Sequence, residues 1–161
     1  MANADRPQGF RPYGEPLRVT PYACGGTIVV GDAVKYDAGG DVVVAAATNA
    51  LLGVAMTSAV DGGTVLVADH PDQLFVGQSS TTDIGAQTDV NLNYNIVAGS
   101  ANSYGVSGHE ILGSSGAASA TLPLRLMRIE PRVDNAYGAN VDCIVKINNH
   151  QLGSHTGTAG V

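Results

Sequence analysis

The chain contains no tryptophan, two phenylalanines and two cysteines, and only 14% of its residues are charged, against about 25% in ordinary soluble domains. Each shortage excludes something. Cys24 and Cys143 stand far apart, so they supply neither a disulfide framework nor a metal-ligand spacing, and both are expected as small buried residues of a protein in a reducing compartment. No run approaches the ~20 apolar residues of a membrane span, and the charged start leads into no apolar signal core. Residues 36–124 hold no lysine or arginine, so the middle of the chain is expected to repel nucleic acid, whose phosphates are bound by those residues. No internal repeat and no interior linker divides the sequence.

That middle does hold eight acids: Asp37, Asp41, Asp61, Asp69, Asp72, Asp83, Asp89 and Glu110. Residues 1–35 carry four basic groups against three acids, and residues 125–161 repeat that balance. The net charge of −6 is therefore segregated, with all the positive charge at the two ends. Acidic loops that keep a domain soluble explain the sign but not the segregation.

Hydrophobic content is 44%, and it is dominated by Val and Ala among many glycines. β-Branched runs separated by Gly/Asp turns every 8–12 residues predict an all-β sandwich or barrel. Strands are expected at 18–23, 27–30, 33–36, 42–47, 51–56, 64–68, 74–77, 89–97, 121–129 and 141–147. Pro21 confines the first of these to a sheet edge. In 89–97 strict alternation puts Val90, Leu92, Tyr94 and Ile96 on one face and Asp89, Asn91, Asn93 and Asn95 on the other. In 121–129 the inward residues are Leu122, Leu124 and Leu126, with Met127 or Ile129 completing the face. Residues 98–119, rich in Gly, Ser and Ala, read as a flexible loop, and a polar tail runs to Val161. No helix longer than a turn is expected.

Chemical motifs fail in detail. Asp89-x-Asn91-x-Asn93 starts like a calcium loop, but the sixth position is Tyr94 and the twelfth Ser100, where Gly and Glu are required. His70, His109, His150 and His155 have no partner at metal-ligand spacing, and His150 and His155 are expected in solvent. Ser107 lies in Gly105-Val-Ser-Gly108, but His109 replaces the last glycine of a nucleophile elbow. No glycine-rich phosphate loop is present. Neither a catalytic residue, a metal nor a cofactor is expected, and the chain does not read as an enzyme.

Residues 1–17 read instead as an extended docking arm ahead of a β-rich domain at 18–161. Pro7 and Pro12 disfavour helix, while Arg6, Arg11, Phe10 and Tyr13 are the residue types that interfaces select. Arg6, Pro7, Phe10, Arg11, Pro12 and Tyr13 are the expected contact residues. Arg125, Arg128 and Arg132 form a second set, for the same face or for a subunit interface. On this reading the domain stays folded when the arm is deleted.

Two regions carry a resemblance. The start, Ala2-Asn-Ala-Asp-Arg-Pro-Gln-Gly-Phe-Arg-Pro12, resembles the opening of tailed-bacteriophage virion proteins that decorate or cement the capsid. The end resembles the same group in Pro123-Leu-Arg-Leu126, Asp134-Asn-Ala-Tyr-Gly138, Val141-Asp-Cys-Ile-Val-Lys-Ile-Asn-Asn-His150 and Thr156-Gly-Thr-Ala-Gly-Val161. The resemblance implies a β-rich homo-oligomer, trimer favoured over dimer, made in the host cytoplasm and bound to the outer surface of an icosahedral shell. Its partner there is the major capsid protein, with no nucleic acid and no membrane. The alternative reading is a virion-surface receptor- or glycan-binding module using the Asn-rich strand and the 98–119 loop, with Tyr94 and Tyr104 as its aromatic platform.

Overall fold

The computed structural model describes residues 3–81, 84–153 and 157–161. Asp83, His155, and Ala2 and Thr156 of the strings above lie outside the described residues. Twelve strands follow in order: β1 (Arg11–Tyr13), β2 (Val19–Ala23), β3 (Ala33–Tyr36), β4 (Val42–Val44), β5 (Gly53–Ala55), β6 (Thr64–Ala68), β7 (Leu74–Gln78), β8 (Asn93–Tyr94), β9 (Ile96–Val97), β10 (Glu110–Ile111), β11 (Leu124–Ile129) and β12 (Asp142–Ile147). Helix among the described residues is limited to two 3-10 turns, Gln87–Asp89 and Gly113–Ser115. No helix is long and apolar enough to cross a membrane.

Two five-stranded antiparallel sheets pack as a β-sandwich, the first in the order β1-β7-β12-β11-β8 and the second β2-β6-β5-β3-β4. Phe75, Tyr94, Leu124, Leu126, Cys143 and Val145 of the first sheet meet Ala33, Val54 and Ala68 of the second in the main core. The second sheet curls until its two ends meet at a bridge between Cys24 and Val42, and it encloses a smaller core of Cys24, Ile28, Val34, Val42, Leu52, Val65 and Val67. Both cysteines are free and buried. β2, with Pro21 at its centre, is an edge strand as expected.

The first residues do not stand off the domain. Asn3 caps the 136–139 loop, its side-chain amide donating to the Ala136 and Ala139 carbonyls at 2.8 and 2.9 Å. Gln78 holds the next stretch, accepting from the Arg6 N–H at 2.8 Å and donating to the Ala4 carbonyl at 3.0 Å. Phe10 is 2% exposed and sits in the main core. Its ring fills the space that a Cβ on Gly77 would need, 2.5 Å from that position. Gly9 is at φ +65°, and a Cβ there would lie 2.4 Å from Gly31 O, so only glycine lets the two backbones pass this close. β1 then pairs with β7, Arg11 opposite Val76 and Tyr13 opposite Leu74. The expected arm is the edge strand of the first sheet.

Three other expectations are corrected. The 89–97 strand is broken at Asn91, whose φ of +70° leaves the extended region. Asn93 is fully buried, its side-chain amide donating to the Ser119 and Thr158 carbonyls, so the Asn face is not a solvent face. Residues 98–119 are pinned rather than loose: β10 pairs with β9, Ser107 N–H donates to the Val30 carbonyl at 3.0 Å, and His109 is 1% exposed. The tail is docked as well, with the Gly160 N–H on Ala118 O and the Val161 N–H on Asn91 O, both at 3.1 Å.

His150, expected in solvent, is 3% exposed, its Nδ1 accepting from the Leu152 N–H at 3.0 Å. Burial lowers its pKa to about 4, and Asp69, Arg18 and His70 supply smaller effects. An unfolded histidine titrates near ~6.5, so this contribution is complete above that pH and is lost as pH falls toward 4. Between pH 7.5 and 4.5 the loss is about 2–3 kcal/mol. His109, whose pKa burial also lowers, acts in the same direction. Urea midpoints at the two pH values should fall accordingly, and His150→Gln should flatten the profile; an unchanged midpoint would show that neither imidazole is held neutral by the fold.

Candidate functional site

Residues opposite one another in an antiparallel pair present their side chains to the same face. Register therefore places Arg11, Val76, Ile144 and Arg128 in one row across β1, β7, β12 and β11, and Tyr13, Leu74, Lys146 and Arg125 in the next. Their neighbours Phe75, Leu126, Cys143 and Val145 face the core, so both rows lie on the outer face of the first sheet. A β-bulge between Leu126 and Arg128 shifts the phase of β11. It leaves Met127 38% exposed, brings Arg128 to the outer face and turns Ile129 toward the core.

Six of the eight basic residues gather around this face: Arg6, Arg11, Arg125, Arg128, Arg132 and Lys146. Arg18 and Lys35 lie elsewhere, on the second sheet side. Arg132 bonds Asp142 and lies 3.2 and 3.3 Å from Glu130 and Asp134, which keep its pKa high. Lys146 Nζ is 3.0 Å from Asp72. Arg125 spends its donors on neutral oxygens, Asn93 Oδ1 and the Thr158 and Ala159 carbonyls. Among the described residues Arg6, Arg11, Arg125 and Arg128 have no carboxylate within 4.0 Å.

The floor between the arginines is apolar. Val76 and Ile144 are 4% and 0% exposed although they lie on the outer face, between rows of long basic side chains. The Arg128 guanidinium sits 5.8 Å from the Tyr13 ring centroid, within cation–π range. Two hollows flank the rows. One, of about 180 Å³, is lined by Arg6, Arg11, Gln78, Arg132 and Asp142 among others. The other, of about 250 Å³, includes Asp72, Arg125, Lys146, Asn148 and His150.

The structure thus brings together residues that the sequence separates by more than a hundred positions. Arg6, Arg11, Tyr13, Arg125, Arg128 and Arg132 share one side of the domain. Pro7 and Pro12 are half-buried, Pro12 opposite Phe75 on the inward side of β1. Phe10 does not join them: a ring sealed in its own core offers no surface to a partner. Lys146 and the Val76/Ile144 floor were missed in the sequence, where only the cation-free middle pointed to a polarised surface.

Other clusters are spent on structure. Ser107, His109 and Asp32 converge and are all buried, a trio with catalytic side chains. His109 Nδ1 accepts from the Ala33 N–H at 3.2 Å, and Nε2 faces Asp32 3.5 Å away. Ser107 Oγ accepts from the His109 backbone N–H at 3.0 Å. With both ring nitrogens occupied, no lone pair is left to take the serine proton, and the trio works as a clasp. Among the described residues no three His, Cys, Asp or Glu side chains gather where a metal ion would sit. Tyr94 is 1% exposed, so an aromatic platform for a glycan reduces to Tyr104, at 90%.

No protein-family model matches the chain, and no curated protein matches it. Fold and site together define a β-sandwich with polarised charge and one cationic, aromatic-bearing sheet face.

Proposed function

We propose that the protein is a structural virion component that binds the outer surface of an icosahedral phage capsid and cements neighbouring major capsid protein subunits. The observation that carries this reading is the set of three exposed, carboxylate-free arginines, Arg6, Arg11 and Arg128, on one side of a chain with net charge −6. In an acid-rich protein such groups are readily neutralised in cis; keeping them free favours a partner in trans. The resemblance of both ends of the chain to capsid decoration proteins agrees with the face those ends build.

One small face gives weak attachment. As a homo-oligomer, trimer favoured, the protein presents several such faces to a symmetric lattice, and effective concentration raises the combined affinity by orders of magnitude. Binding to the expanded shell alone stabilises it by mass action, with no chemical step. Cryo-electron microscopy of undecorated heads mixed with the purified protein tests the reading. The outer face of the first sheet should point at the shell; attachment through the curled second sheet, or bare heads, would refute it.

A further inference from the structure

The free arginines also constrain what the partner presents. The backbones of Arg11 and Arg128 stand at opposite ends of one row, three strand spacings or about 14 Å apart, and the Arg128 side chain reaches back across the face to the Tyr13 ring on the strand that carries Arg11. Between them lie only Val76 and Ile144, with the Tyr13 ring alongside in contact with Arg128. Beyond the row on one side, Arg132 is surrounded by Glu130, Asp134 and Asp142; on the other, Lys146 is paired with Asp72. The face therefore has two exposed arginines with no carboxylate partner, over buried apolar residues, and carboxylates at both margins.

A nucleic acid fits this poorly. A duplex carries one charge per about 1.7 Å of axis, and a backbone crossing the face would run over the marginal carboxylates. Discrete carboxylates reach the two heads without meeting those margins. Arginine is also suited to them, because its planar fork binds a carboxylate bidentately.

We infer that this face receives an acidic protein segment, with one carboxylate on Arg11 and another on Arg128. The inference rests on the proposed docking role and names the chemistry of the partner's contact. It separates that partner surface from a basic one, from a glycan and from a nucleic acid.

The probe is a terminally blocked hexaglutamate peptide, titrated into the full-length protein while the arginine Nε–Hε resonances are followed by NMR. Blocked hexalysine and a single-stranded oligonucleotide serve as the other arms. The acidic peptide should shift the Arg11 and Arg128 signals in a saturable, salt-sensitive way and leave Arg18, which Asp69 holds at 2.7 Å, unmoved. The double variant R11Q/R128Q removes both charges at exposed positions; it should retain the wild-type melting temperature and weaken the peptide at least tenfold. Undisturbed Arg11 and Arg128 signals, undiminished binding to a folded R11Q/R128Q protein, or tighter binding of the oligonucleotide than of the peptide would each overturn the inference. Heads that are decorated normally while the peptide leaves both arginines unmoved defeat this inference alone. Peptide binding without attachment to heads defeats the capsid reading and leaves the acidic-segment chemistry in place.

Discussion

Replacing Phe10 by alanine should cost about 3–5 kcal/mol of folding free energy, the range for emptying a buried aromatic site. Domains of this size have about 5–15 kcal/mol in total, so the loss is a large share of what holds the protein together. The reason is positional. The ring is 2% exposed, belongs to the main core and rests directly on Gly77, which has no side chain of its own to refill the space. Truncation of residues 1–13 should do more, because it also strips β1 from β7 and bares a strand edge. Chemical denaturation of F10A and of the truncated chain checks this. A truncated protein with wild-type stability would restore the picture of a detachable arm, which the structure replaces with an integral strand.

That replacement shows where the sequence was readable. Ala33–Tyr36 and Thr64–Ala68 each follow a Gly/Asp turn, and they form strands with those same bounds. Pro21 marks an edge because its missing N–H is tolerated where no neighbouring strand needs it. The inward face of Leu122, Leu124 and Leu126 followed from alternation. Alternation failed where one residue changed the phase: Asn91 through its positive φ and Met127 through the bulge. A local pattern records neither.

The N-terminal segment was misjudged for a different reason. Proline, glycine and arginine describe a chain that does not form a helix, and an edge strand satisfies that description as well as a free arm. What decided between them is a long-range partner, β7, sixty residues away. The candidate site was legible in its ingredients only. Segregated charge marked both ends of the sequence as cationic, but it took the order β1-β7-β12-β11 to lay the two ends on one sheet. Burial of His150 was hidden similarly, since a polar tail sequence gives no sign that it docks.

The face itself is tested by reversing its charge. Arg11 and Arg128 are exposed, paired with no carboxylate and part of neither core, so R11E/R128E should change the melting temperature little; surface substitutions of this kind usually fall within about 0.5 kcal/mol. Their effect on docking is of another order. Losing one member of a desolvated charge pair costs about 2–5 kcal/mol, and a reversed charge adds repulsion, so two reversals should lower affinity for the shell by at least about a hundredfold.

Co-sedimentation of wild-type and R11E/R128E protein with undecorated heads measures this directly, with the melting temperature taken on the same preparations. The account predicts saturable occupancy by the wild type and nearly bare heads with a variant that is folded. Equal occupancy by the two proteins would contradict it.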